Sequence, residues 1–66
     1  MEYRVFANGT EVKRGSFSEM RDLAKTLSLP EDFVFLEYCS FIDKQWYISC
    51  GYFAGRKRKV KKWNEK

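Results

Sequence analysis

Hydrophobic and polar residues alternate near the start of the chain in the manner of a β-hairpin. Residues 3–14 are rich in β-forming side chains and flank Asn8-Gly9, the pair that best accepts the two positive φ angles of a type I′ turn. A two-residue loop at this pair places Val5 opposite Val12. The alternation therefore predicts that both valines lie on the core face of the first hairpin.

The next segment has the start signal, the period and the stop signal of a helix. Ser16 and Glu19 have capping-box spacing, in which each side chain bonds the backbone of the other residue. Apolar residues then recur at three- and four-residue steps and form one stripe. The stripe consists of Phe17, Met20, Leu23, Ala24 and Leu27. Because Pro30 cannot continue a helix, a helix of about ten residues should end before a loop at 29–32.

Aromatic and β-branched residues dominate positions 33–53, with an interruption at 42–45, and this composition predicts a second hairpin. A two- or four-residue loop would place Cys39 opposite Ile48 and Phe35 opposite Tyr52. One face, which we expect to be the core face, would then carry Phe35, Cys39, Phe41, Trp46, Ile48, Cys50 and Tyr52. The other face would carry Val34, Leu36, Tyr38, Tyr47 and Phe53.

Together, these elements predict an α+β fold with the order β-β-α-β-β, in which one helix packs on one face of an antiparallel sheet. The 66 residues leave room for one domain. We expect this domain to comprise residues 1–54 and a basic C-terminal tail to comprise residues 55–66. The tail would be either a disordered arm or an extension of the fourth strand whose charges need a counter-charge.

Charge is distributed unevenly between these two parts of the chain. Residues 1–54 hold six Lys or Arg against eight Asp or Glu, a net charge of −2, whereas residues 55–66 hold seven against one, a net charge of +6. Such a block of like charge usually marks an interaction segment. Its central cations are Arg56, Lys57, Arg58, Lys59, Lys61 and Lys62, followed by Trp63. This pattern predicts contacts with phosphates or with an acidic protein surface, and Trp63 would stack on unpaired bases. The alternative is a solvated tail that aids solubility, with Trp63 folded back on the domain.

Further candidate contacts lie on the two predicted hairpins. The candidates are Arg4, Phe6 and Lys13 on the outer face of the first hairpin, and Tyr38 and Tyr47 on the second. The two tyrosines would lie opposite the predicted core face, where aromatic side chains are available to stack on bases. Should the helix cover that face instead, Phe41 and Trp46 would take this role.

Little in the sequence favours catalysis. The chain contains no histidine, which removes the commonest general acid or base and the commonest metal ligand. Its four glycines form no phosphate-binding loop, and Cys39 and Cys50 do not make a zinc site. We therefore expect no enzyme, no metal and no other cofactor, with a histidine-independent ribonuclease as the catalytic alternative.

The sequence also bears on where the protein works. The N-terminal residues carry no basic segment followed by a long apolar run, and the longest apolar stretch, at 33–36, is far too short to span a membrane. We expect a cytoplasmic protein that is neither secreted nor membrane-bound, with both cysteines reduced.

Two functional hypotheses from different classes follow. The first is a small nucleic-acid-binding accessory protein, for RNA or DNA, that uses the cationic tail and exposed sheet aromatics. The alternative is a protein inhibitor or adaptor that docks its aromatic face on a partner while the tail contacts an acidic surface. Small regulators encoded by viruses and phages fall in the same size class. A homodimer is compatible with either hypothesis.

Overall fold

The strands β1 (Tyr3–Ala7) and β2 (Thr10–Gly15) form the first hairpin in a computed structural model that describes residues 1–59. Asn8 and Gly9 connect them with φ angles of 54° and 74°, the conformation that a type I′ turn requires. The prediction of a hairpin turning at this pair is therefore confirmed.

A β-bulge changes the register of the first hairpin. Phe6 lies opposite Glu11 as expected, but the register shifts between Val5 and Phe6, so that Val5 lies opposite Lys13. The skipped residue, Val12, is 48% exposed, whereas Val5 is fully buried. The prediction that Val12 lies on the core face is wrong, because a bulge inserts one residue and reverses the alternation beyond it. Lys13 consequently takes the position opposite Val5 and leaves the outer face.

The predicted helix is confirmed as α1 (Phe17–Leu27). Its capping box forms as the spacing indicated: the Glu19 backbone N–H donates to the Ser16 hydroxyl over 3.3 Å, and the Ser16 N–H donates to the Glu19 carboxylate. Met20 and Ala24 are buried against the sheet, and turns occupy the segment that contains Pro30.

The second hairpin consists of β3 (Phe33–Cys39) and β4 (Trp46–Phe53). Its predicted register is wrong, because Cys39 lies opposite Trp46 and a bulge at Ser49 shifts the pairing before Leu36 meets Cys50. The helix therefore covers the face that carries Val34, Leu36, Cys50 and Tyr52, all of them buried. Cys39 and Cys50 lie on opposite faces of the sheet, where no disulfide can join them.

A fifth strand, β5 (Arg56–Arg58), pairs antiparallel with β4 after a turn at Ala54 and Gly55. This strand begins the segment that the sequence analysis assigned to the basic tail. Residues 56–58 are neither a disordered arm nor an extension of β4, because the chain turns at Ala54 and Gly55 and folds back as a separate strand. The remaining predicted contacts of the tail, Lys61, Lys62 and Trp63, lie outside the described residues.

The five strands form one antiparallel sheet in the order β2-β1-β3-β4-β5, and α1 packs across β1 and β3 on one face. The predicted α+β fold with the order β-β-α-β-β is thus confirmed, with β5 added at its end. Within residues 1–59, no helix is long and apolar enough to cross a membrane.

Candidate functional site

The face of the sheet opposite α1, which we call the open face, has no helix over it in the described part of the chain. Paired residues of neighbouring strands point to the same side of a sheet, so the register assigns each side chain to a face. Phe33 lies opposite Phe53, which lies opposite Arg56. These three residues therefore form one row across β3, β4 and β5 on the open face.

A second row lies beside the first. Phe35 is paired with Phe6 on one side and with Gly51 on the other, and Gly51 is paired with Arg58. The two rows bring together the phenylalanine cluster, which we define as Phe33, Phe35 and Phe53. Ring centroids are 5.1 Å apart between Phe33 and Phe35 and 6.1 Å apart between Phe33 and Phe53.

The cluster is only partly shielded from water. Phe33 is 43% exposed, and Phe35 and Phe53 are half-buried. A patch of neighbouring exposed aromatic side chains on a small domain is typical of a surface that contacts a partner. Phenyl rings offer flat apolar faces and carry no hydrogen-bonding group.

Beside the phenylalanine cluster lies what we call the cationic edge, formed by Arg56, Lys57, Arg58 and Lys59. All four residues are exposed. Among residues 1–59, no salt bridge involves any of them. Arg56 and Arg58 share the open face with the cluster, whereas Lys57 is paired with Tyr52 and points to the helix side. The edge thus places two cations beside the aromatic rings without a carboxylate that neutralises them within the described chain.

At the opposite end of the open face, arginines and glutamates form ion pairs with one another. Arg4 Nε donates to Glu37 Oε1 over 2.7 Å, and Arg4 Nη1 donates to Glu11 Oε1 over 2.9 Å. Arg14 Nε donates to the second oxygen of Glu11 over 2.7 Å. The Arg4 guanidinium also lies 4.3 Å from the centre of the Trp46 ring, within cation–π range. This network holds two positive and two negative charges and is neutral as a whole.

The first bulge makes this network possible. Glu11 and Arg14 are three residues apart and would point to opposite faces of a regular strand, yet the bulge at Val12 brings both to the side of Arg4. Hydrogen bonds from Arg14 and Arg4 lower the pKa of Glu11, and the same carboxylate raises the pKa of Arg14. Arg4, which the sequence predicts as a partner contact, is bonded to Glu37 and Glu11 within the protein.

The other two predicted contact residues of the first hairpin, Phe6 and Lys13, lie on opposite faces of the sheet. Phe6 is half-buried on the open face next to Phe35, with its ring 5.1 Å from the Arg4 guanidinium. Lys13 is exposed but lies on the other side of the sheet, opposite Val5. The structure therefore does not bring Arg4, Phe6 and Lys13 together as one basic and aromatic surface.

Tyr38 and Tyr47 lie on the helix side of the sheet, so their expected placement on the open face is wrong. Tyr38 is paired with Tyr3, whose ring packs edge-on against Phe17 of α1 at 5.1 Å, and Tyr38 contacts Tyr47 at 5.9 Å. Both tyrosines share a face with Val34 and Leu36, as predicted, but the bulge at Ser49 moves Cys50 and Tyr52 to that face, which becomes the core face. The alternative role then passes to Trp46, which lies on the open face, and to Phe41, which lies in the 40–45 loop and is 68% exposed.

The hydroxyl of Tyr47, in β4, donates a hydrogen bond to Asp43 in the 40–45 loop. This bond, together with the Gln45 backbone N–H, lowers the pKa of Asp43, while the carboxylate raises the pKa of Tyr47. Both residues are exposed, and the bond joins the 40–45 loop to the start of β4.

Sequence reasoning missed the phenylalanine cluster as a site, although one signal was present. Glu37 alternates with Phe33 and Phe35 along β3, and a carboxylate in an otherwise apolar alternating set marks a face that is not the core. Comparisons with protein-family models, with curated proteins and with solved structures found no match to this chain.

Proposed function

We propose that this protein binds nucleic acid through the cationic edge and the adjoining open face. One observation carries the proposal: Arg56 and Arg58 share a sheet face with three partly exposed phenylalanines, and no carboxylate of residues 1–59 forms a salt bridge with either arginine. Phosphate is a ligand that guanidinium groups bind well, because their fork of donors fits its oxygens.

Electrostatics favours a polyanion in particular. The neighbouring cations of the edge repel one another, and contacts with phosphates reduce this repulsion. The same contacts release condensed counterions from the nucleic acid, which favours binding. Residues 1–54 carry a net negative charge, so the attraction is confined to the edge and the chain that follows it. This confinement would orient the protein on its ligand with β5 against the phosphates.

An acidic protein surface is the rival partner, since it would also neutralise the edge. The phenylalanine cluster next to the edge favours nucleic acid, because bases present flat aromatic faces directly beside their phosphates. Binding to a protein surface is therefore the alternative that the following experiment tests.

The test is the salt dependence of binding to labelled oligonucleotides, both single-stranded and duplex, measured by fluorescence anisotropy. Arg56→Gln with Arg58→Gln should weaken binding to all sequences and reduce the slope of log affinity against log salt by about 1.5 to 2. The charge-matched control, Arg21→Gln with Lys25→Gln on the helix, should keep the wild-type slope. Binding of neither oligonucleotide, together with recovery of one stoichiometric protein from nuclease-treated lysate, would replace the proposal with the protein hypothesis.

A further inference from the structure

The two rows of the open face repeat one arrangement. In the first row Phe53 is followed by Arg56 on the neighbouring strand, and in the second row Phe35 is followed, across Gly51, by Arg58. The rows are separated by two residues along each strand, which corresponds to roughly 7 Å. Aromatic faces thus lie toward the centre of the sheet and cations toward its edge, in register with one another.

From this arrangement, and resting on the proposed function, we infer that the open face accepts unpaired bases and that the ligand is single-stranded nucleic acid. A strand that runs along β5 would place its phosphates against Arg56 and Arg58 and its bases over the phenylalanine cluster, with Phe53 and Phe33 in the first row and Phe35 in the second. The polarity of the face matches the polarity of a nucleotide, which has its charge on one side and its aromatic ring on the other.

A duplex would not use the same surface fully. In a duplex the base faces are stacked on each other, so a phenyl ring on a sheet surface cannot reach them, and only the phosphate contacts remain. Access to the phenylalanine cluster therefore requires bases that are free of a complementary strand.

The inferred recognition should be tolerant of sequence. Phenylalanine has no hydrogen-bonding group, and every base has a face on which a ring can stack. The phosphate contacts likewise carry no sequence information. We expect pyrimidine and purine strands to bind with similar affinity.

A protein partner could also cover exposed phenylalanines, and charge decides between the two occupants. An apolar protein patch would leave Arg56 and Arg58 beside it without an anion, whereas a single strand supplies a phosphate for each. Charge complementarity and aromatic exposure on one face therefore point to the nucleic acid.

The experiment compares a labelled oligothymidylate and a labelled oligouridylate, each of about ten nucleotides, with a duplex of the same length at one salt concentration. The wild-type protein should bind the single strands at least about 10-fold more tightly than the duplex. Phe33→Leu with Phe53→Leu should lower single-strand affinity roughly 10-fold or more and leave duplex affinity and the salt slope unchanged. Comparison of the two single strands separates RNA from DNA as the preferred source.

Phe17→Leu is the matched control, because it removes a phenylalanine that is 44% exposed, like Phe33, but lies on the helix outside the open face. This control should bind like the wild type. Should the double variant of the cluster fail to fold by circular dichroism, Phe33→Leu alone serves, since Phe33 is the more exposed ring. Ring-proton NMR shifts of Phe33 and Phe53 on addition of oligothymidylate to the wild-type protein give a second, variant-free measurement.

The outcomes separate this inference from the proposed function. Equal affinity for single strands and duplex, with no effect of the phenylalanine substitutions, would overturn the inference while the cationic edge remained a nucleic-acid site. Loss of binding in Arg56→Gln with Arg58→Gln, but not in the phenylalanine variants, would also overturn the inference and leave the cationic edge as a nucleic-acid site. Absence of binding to every oligonucleotide would overturn both.

Discussion

The buried hydroxyl of Ser28 accepts a hydrogen bond of 2.9 Å from the backbone N–H of Gly55. Ser28 caps the C-terminus of α1, and its hydroxyl also donates to the Lys25 carbonyl over 3.0 Å. Gly55 belongs to the turn that leads into β5. One small side chain therefore joins the end of the helix to the turn that positions the cationic edge.

Ser28→Ala should lower the free energy of unfolding by about 2 kcal/mol, because it leaves the partly buried Gly55 N–H and Lys25 carbonyl without their hydrogen-bond partner. For a domain of this size that loss corresponds to a fall in Tm of roughly 10 °C. Thermal unfolding measures it. Ser18→Ala, on the exposed face of the same helix, is the control and should change the free energy by less than about 0.5 kcal/mol.

Val5 and Val12 test the register of the first hairpin. Val5→Ala should lower the free energy of unfolding by about 2 kcal/mol, because it removes buried methyl groups and leaves a cavity. Val12→Ala should cost less than about 0.5 kcal/mol, since the bulge holds that side chain at the surface. Urea denaturation distinguishes the two variants. Equal losses would mean that both valines face the core and that the bulge is absent.

The network around Arg4 should not tolerate lysine. Arg4→Lys keeps the charge but gives up the planar group that bonds Glu37 and Glu11 and lies over Trp46, so we expect a loss of about 1 to 2 kcal/mol. Chemical denaturation measures this loss. The control is Arg21→Lys, whose pair with Asp22 is exposed on the helix, and it should be close to neutral.

The loop between β3 and β4 should respond to pH on both sides of neutrality. The pKa of Asp43 is lowered, so its bond with Tyr47 is fully present above the ordinary carboxyl pKa of about 4 and is lost as the pH falls through the lowered value. The pKa of Tyr47 is raised, so the same bond is complete below a pH of about 10 and is lost as the pH rises through the raised value.

An NMR titration of the Asp43 carboxyl carbon checks the acid side of this prediction. In Tyr47→Phe the pKa of Asp43 should rise toward its ordinary value, although the Gln45 N–H should keep part of the shift. Tyr38→Phe, which alters the neighbouring ring and leaves the Asp43 hydrogen bond in place, should titrate like the wild type. An unchanged pKa in Tyr47→Phe would show that the hydroxyl contributes nothing.

Features encoded by a few adjacent residues were predictable from the sequence. Asn8-Gly9 specifies its turn because two positive φ angles are strained for most other residues, and Ser16 with Glu19 specifies the helix start through reciprocal bonds. Pro30 excludes a longer helix. In each case the physical cause lies within four residues, so no tertiary information is needed.

The two bulges were not predictable in the same way, and the misplaced site residues follow from them. The bulge at Val12 exchanges the two faces beyond it, so an unbroken alternation misplaces Lys13. The bulge at Ser49 moves Cys50 and Tyr52 to the face of Tyr38 and Tyr47, so that this face becomes the core face instead of the predicted one. Packing of distant elements decides where such an irregularity lies. The position of β1 between β2 and β3 likewise depends on long-range pairing that periodicity does not encode.

The strand order has a consequence for the time course of folding. Among the described strands, three of the four pairings join consecutive strands, whereas β1 and β3 meet across the intervening β2 and helix. The pairing of β1 with β3 therefore requires closing a long loop, and the entropy lost in doing so must be overcome before the contacts of the pairing form. The encounter of the two hairpins along β1 and β3, with α1 docking over it, is therefore the natural rate-limiting event.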